Sequence, residues 1–357
     1  MIPLSRSVLG QEENDAVARV LASGRLVQGE RVAEFEQRVA SRVGRKHAIA
    51  VSSGTAALRL ALEALAVERG DDVLVPDLTW PSPGHAVMEV GAHPVLVDVD
   101  PREWNARPEA MAEARTARTR IAIAIDQFGC PSRSEAIARA LPGVKLIVDA
   151  ACSLGSHIGA HACGALGVIA CLSFHPRKLV STGEGGMCLT DDDALAARLR
   201  ELRNHGQSAP GKFARASGNH RLSEIAAAIG IVQLGRLDGM LRERARLAAA
   251  YGGALAEFDL QRAPEDATRN HQTFGLLLPA SHDRDSVVER LRALGVETAR
   301  LSYALHTLPQ FTGVNASQRG FPNASAIADR GLALPLWPGL SDDDQRKVID
   351  ALRAVLA

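Results

Sequence analysis

The 357-residue sequence has no excess charge of either sign: 41 lysines and arginines stand against 41 aspartates and glutamates. That balance excludes a global field that would draw in nucleic acid or an anionic membrane, and leaves only local pockets to carry charge recognition. Long apolar runs are missing too, and none reaches the length needed to span a bilayer. The opening Met1-Ile2-Pro3-Leu4-Ser5-Arg6 lacks the apolar core of a signal peptide, which predicts a cytoplasmic protein with no membrane partner. Cysteines are few, at 130, 152, 163, 171 and 188, and no two form a C-x-x-C pair. In a reducing compartment they read as small buried hydrophobes. His157, His161 and Cys163 cluster without the second half of a ligand set, so the stretch reads as a loop and no metal is expected. Repeats and low-complexity segments are absent. What is present is a 46% hydrophobic chain, long enough for a large core and two domains.

Apolar runs of strand length fall at 46–51, 72–76, 94–98, 120–125, 144–149 and 168–174. Helical periodicity marks 12–22, 31–43, 56–62 and 191–204, and 185–190 reads as a hairpin partner of the strand at 168–174. Strands alternating with helices predict an α/β fold with a mostly parallel central sheet. A polar stretch at 207–218 reads as a mobile loop. Helices at 222–237 and 239–251 lead into a smaller α+β domain with a strand at 274–278 and helices at 285–294 and 342–357. The expected division is 1–237 for the large domain and 238–357 for the small one.

The chemistry concentrates between Cys171 and Gly186. A buried strand delivers Lys178 into a short loop closed by Gly183, Gly185 and Gly186, where few side chains keep a flat ligand away. A lysine desolvated there can serve as a Schiff-base nucleophile; a solvated surface lysine is the alternative. Asp149 ends an apolar strand, where open α/β sheets bind ligands. It either caps the next turn or pairs with a protonated ring nitrogen such as that of pyridoxal phosphate (PLP). Ser53-Gly54-Thr55 open a helix directly after a strand, which makes an ordinary N-cap or a phosphate site.

Phosphate turn, ring carboxylate and lysine, in that order, resemble the PLP-dependent sugar aminotransferases of the DegT/DnrJ/StrS group. The likeness is carried by S-S-G-T-A-A-L at 52–58, V-D-V-D-P at 97–101, D-A-A at 149–151, S-F-H-P-R-K at 173–178, T-G-E-G-G at 182–186, N-H-R-L-S-E-I at 219–225 and Y-A-L-H at 303–306. It implies the PLP-dependent aminotransferase fold type I. It implies that Lys178 carries PLP and moves the proton, and that Asp149 protonates the ring nitrogen. Gly54, Thr55 and Ser173 would hold the phosphate, and Trp80 would stack on the ring. Asn219 would reach the phosphate of a neighbouring subunit in a homodimer, and Tyr303 and His306 would lie near the sugar.

The reaction so implied moves an amino group, from glutamate, to a ketosugar that is nucleotide-linked. A keto-cyclitol aminotransferase, another fold type I PLP enzyme such as a desulfurase or lyase, and a non-enzymatic regulator on the same fold are the alternatives. Some relatives carry His in place of the lysine and act as dehydratases, so Lys178 favours transamination. Two departures bear on the site. Cys152 stands where relatives often have Gln or His, which removes a strong hydrogen-bonding group near the ring. Gly218 and His220 replace the aromatic residues common around Asn219.

Overall fold

The computed structural model describes residues 1–314 and 320–357. Seven strands form the central sheet: β1 (His47–Val51), β2 (Asp72–Pro76), β3 (His93–Val97), β4 (Thr119–Ile125), β5 (Lys145–Asp149), β6 (Ile169–Ser173) and β7 (Gly186–Thr190). Their spatial order is β1-β7-β6-β5-β4-β2-β3. The pairs from β6 to β3 are all parallel, and β7 alone runs against both of its neighbours. The two antiparallel pairings return β1 to the direction of β6. The C-terminal ends of β1, β6, β5, β4 and β2 therefore share one edge of the sheet.

Alternation along the strands builds two cores. Ile49, Val73, Ile121, Ile123, Ile147 and Ile169 pack under the helices Gly54–Ala64 and Asp193–Arg203. Ala50, Leu74, Ala122, Ala124, Val148 and Leu172 face the helices Glu30–Val43 and Glu224–Gly235. Each buried Ile, Val or Leu contributes about 1.5–3 kcal/mol, which is why short, nearly all-apolar strands suffice here. The two helices on the second face are also joined by a buried carboxylate. Glu224 accepts the amides of Gly29 (2.8 Å), Arg31 (2.9 Å) and Val32 (2.9 Å), capping the helix Glu30–Val43 from a distant part of the chain.

The C-terminal part is α+β. Its antiparallel sheet, in the order Asp259–Leu260, Phe274–Leu277, Gly331–Leu334, Ala299–Arg300, packs on the helices Arg284–Ala293 and Asp342–Leu356. The helix Leu237–Ala254 contributes to two of the cores. Leu237 belongs to the large core, whereas Leu247 and Tyr251 belong to the small one. Residues 2–4 pair with the C-terminal part of the chain. Ile2 exchanges backbone hydrogen bonds with Gly295 and Glu297, and the Leu4 carbonyl accepts the Leu336 amide. The polar stretch expected to be a loop holds a short ribbon, Gln207–Ala209 against Lys212–Phe213.

Candidate active site

The phosphate turn sits where β1 ends. Ser53 caps the helix Gly54–Ala64, its hydroxyl accepting the Ala56 amide at 3.1 Å. The Gly54 and Thr55 amides, at the first two helical positions, have no intrahelical carbonyl to reach and point their partial positive charge outward. The two readings of this stretch, cap and anion site, are thus physically compatible. Glycine is required at two places. A Cβ on Gly54 would fall 2.9 Å from the Ser173 Cβ, and one on Gly186 would collide with the Ser53 carbonyl. Register explains the closeness: Gly186 pairs with Val51 on one side and with Ser173 on the other. The result is a backbone cradle beside the Ser173 hydroxyl.

Asp149 ends β5, opposite Cys171 of β6 and Ile125 of β4. It is buried, and its carboxylate accepts the Ala151 amide at 3.0 Å. Burial pushes its pKa up to about 6; the Ala151 hydrogen bond and the nearby Lys178 ammonium pull it back, and Asp126 pushes it further up. Asp126 follows β4 as Asp149 ends β5, and its amide donates to the Asp149 carbonyl at 3.0 Å. Its own carboxylate accepts the Ser132 amide and hydroxyl, both at 2.8 Å, and the Ser153 hydroxyl at 2.6 Å. Burial raises its pKa while those donors lower it. Sequence reading missed Asp126, although it terminates the apolar run at 120–125 just as Asp149 terminates its own.

Lys178 lies half-buried in the loop after β6. The loop is shaped by its backbone: Lys178 N donates to the His175 carbonyl at 2.8 Å, and Thr182 N to that of Phe174 at 2.9 Å. The lysine Nζ meets the Cys152 Sγ at 3.0 Å. The residue expected to matter to the ring is thus in contact with the amine. Both loops are clamped from the C-terminal half. The Asn270 side-chain amide donates to the carbonyls of Cys152 (2.8 Å) and Leu154 (3.0 Å), and that of Gln272 donates to the Arg177 carbonyl. Arg244, buried without a carboxylate partner among the described residues, fixes this clamp by donating to the carbonyls of His271, Gln272 and Leu336. Burial alone pushes its pKa down to about 9.

Trp80 and Tyr303 meet edge to face, ring centroids 5.6 Å apart, because Tyr303–Ala304 pairs with Leu78–Thr79. Trp80 is 61% exposed, and the Arg300 guanidinium lies 5.1 Å from the Tyr303 centroid. His306 is turned elsewhere. Its Nδ1 lies 2.6 Å from the buried Asp77, its amide donates to the same carboxylate at 2.8 Å, and its ring stacks on Phe321. Burial raises the Asp77 pKa and these His306 contacts lower it. Asn219 is exposed, bridges Asn204 and accepts the Arg221 amide at 3.2 Å. Among the described residues no group of His, Cys, Asp and Glu is disposed to hold a metal.

The cradle of glycine backbone and serine hydroxyl suits a phosphate monoester. The buried, proton-retaining carboxylate suits a pyridinium nitrogen, and the half-buried lysine suits an aldehyde. Together they fit PLP, and the sheet whose strand ends hold them defines a PLP-dependent aminotransferase of fold type I. The chain belongs to the DegT/DnrJ/EryC1/StrS aminotransferase family, whose pattern matches residues 7–353. Among solved structures it is similar to the aminotransferase TlmJ from Streptoalloteichus hindustanus, with 33% identity and a TM-score of 0.93 over 100% of this chain and 99% of that one. It is also similar to a DegT DnrJ EryC1 StrS aminotransferase from Brucella abortus, with 31% identity and a TM-score of 0.91 over 96% of this chain and 95% of that one. DesV of S. venezuelae shares 32% identity with a TM-score of 0.91, over 96% of this chain and 94% of that one.

Proposed function

We propose that the protein moves the amino group of an amino acid, glutamate, to a ketosugar linked to a nucleotide, acting as a homodimer in the cytoplasm. The observation that carries this reading is Lys178 placed with Asp149 at one sheet edge, beside a glycine cradle and an open Trp80–Tyr303 shelf. The likeness to the sugar aminotransferases of the family supports the substrate class, and the lysine in place of histidine supports aminotransfer over dehydration.

PLP, when bound, supplies an aldehyde carbon that takes up amines and a ring that spreads negative charge. The Gly54 and Thr55 amides and the Ser173 hydroxyl hold its phosphate, with Asn219 of the partner subunit completing the contact. The Asp149 carboxylate would pair with the ring nitrogen and favour its protonated form. The exposed Trp80 indole would offer a flat face to the ring. Lys178 carries the cofactor at rest. With its Nζ half-buried at the sheet edge, the freed Lys178 amine would serve as the base and acid that moves a proton. Tyr303 would border the sugar, whereas His306 is committed to Asp77 and Phe321.

Borohydride reduction of the yellow holoenzyme followed by peptide mapping should place PLP on Lys178, and Lys178→Ala should abolish both the label and turnover. A label on another lysine overturns the assignment. Glutamate should bleach the yellow form, and a panel of nucleotide-linked ketosugars and keto-cyclitols should then restore it with a ketosugar. Restoration by a keto-cyclitol alone overturns the sugar reading, and a chain that cannot be loaded with PLP overturns the enzyme reading.

A further inference from the structure

We infer that Cys152 and Lys178 form an oxidisable pair: a peroxide converts the Cys152 thiol to a sulfenic acid, and the Lys178 amine condenses with it into a reversible sulfur–nitrogen cross-link. The observation is the 3.0 Å separation of Sγ and Nζ. Sulfenic acids condense with a neighbouring thiol or nitrogen, and the neighbour offered here is an amine. Access singles out the same residue. Cys130, Cys163, Cys171 and Cys188 are buried, whereas Cys152 is half-exposed and open to a small oxidant.

The frame around the pair is fixed while the lysine arm is free to move. The Cys152 carbonyl is held by Asn270, the Arg177 carbonyl by Gln272, and the Lys178 amide by the His175 carbonyl. Four methylenes let Nζ close the remaining gap without moving that backbone.

The step balances with peroxide as the oxidant. Sulfur loses two electrons as one peroxide oxygen joins it and the other leaves as water. The neutral amine then attacks sulfur, a nitrogen–sulfur bond forms, the sulfur–oxygen bond breaks, and the departing hydroxide takes the proton that nitrogen gives up. The protein loses two hydrogens and the peroxide becomes two waters. An added thiol attacks the bridged sulfur and releases the amine. A bridged lysine cannot carry PLP; that consequence rests on the function proposed above, whereas the bridge needs only the two side chains. The cross-link therefore belongs to forms whose Lys178 amine is free, and PLP on Lys178 protects against it.

The test treats the full chain with hydrogen peroxide in two forms, stripped of PLP and with PLP fixed by borohydride. In the stripped chain the intact mass should fall by about 2 Da, the difference between sulfenamide and the reduced pair. Non-reducing peptide mapping should recover one cross-linked pair containing Cys152 and Lys178. PLP reloading should fall in proportion to the bridged fraction and return with dithiothreitol. The borohydride-fixed form should show no bridge. Cys152→Ser should show neither the mass loss nor the cross-link, and Lys178→Arg should stop at oxygen adducts on Cys152. Oxygen adducts on Cys152 with the Lys178 peptide free in the wild-type chain overturn the proposal, as does a mass loss that persists in Cys152→Ser. A borohydride label on a different lysine sinks the functional reading and leaves the mass map of the bridge standing.

Discussion

In the cofactor-free chain, Asp149→Asn removes a carboxylate that the fold holds under strain of desolvation. Burial carries its pKa from 3.8 to about 6. Each pH unit of that difference corresponds to about 1.4 kcal/mol, so the ionised carboxylate costs the fold up to about 3 kcal/mol. The sign follows from where the proton is held. A raised pKa means the folded chain binds the proton more tightly than the unfolded chain. The associated stability is complete below about pH 4, is lost as pH rises through about 6, and stays lost above that. Asparagine does not titrate and keeps an oxygen for the Ala151 amide. It does leave the Lys178 ammonium without its counter-charge, which trims the gain. The variant should therefore come within about 0.5 kcal/mol of wild type near pH 4 and exceed it by about 1–3 kcal/mol at pH 8. Urea unfolding of PLP-free protein, followed by circular dichroism at fixed concentration and at both pH values, measures the difference directly. Titrations common to both chains cancel in the comparison. An Asn variant no more stable than wild type at pH 8, or displaced equally at both pH values, would refute the reasoning. The same variant should bind PLP and lose most turnover, because a neutral amide does not hold the proton on the ring nitrogen.

Three further outcomes are expected. Gly54→Ala, whose methyl lands 2.9 Å from the Ser173 Cβ, should weaken PLP affinity on the order of tenfold in an absorbance titration, and unchanged affinity would remove the cradle from the argument. Glu224→Ala strands the amides of Gly29, Arg31 and Val32, and should cost about 2–4 kcal/mol in urea unfolding; a loss within about 0.5 kcal/mol would mean that water replaces the cap. Mixing Lys178→Ala with Asn219→Ala chains should partly restore activity, since one site of a mixed dimer then carries neither defect. Two inactive parents that stay inactive after verified subunit exchange would exclude a shared site.

Much of the large domain is written locally. Runs such as Ile121–Ile125 and Ile147–Val148 are apolar on both faces, as strands covered by helices on each side must be, so their positions are legible. Asp149 interrupts such a run, whereas Lys178, in a loop beside His175 and Arg177, stands out through the motif around it rather than through any apolar pattern. The clamp of Asn270, Gln272 and Arg244 left no such mark. Its side chains act on carbonyls far away in sequence, and no periodicity records a tertiary hydrogen bond. Residues 2–4 pair with the C-terminal part of the chain through their backbone, which composition does not encode. Cys152 was noticed as a departure, but its contact with the lysine amine depends on how two loops face each other across the β5–β6 edge. Only the folded geometry supplies that.

The place of β7 also bears on how this protein is made. Within the central sheet β1 has a single neighbour, β7, and the cradle at Ser53–Gly54 closes against Gly186 at the start of that strand. During synthesis β1 and its turn emerge long before β7 does. A nascent chain halted anywhere short of Gly186 carries an unpaired apolar edge and a phosphate turn with one wall missing. Such a chain is exposed to edge-to-edge association. On the function proposed above, loading with PLP would wait until β7 has left the ribosome.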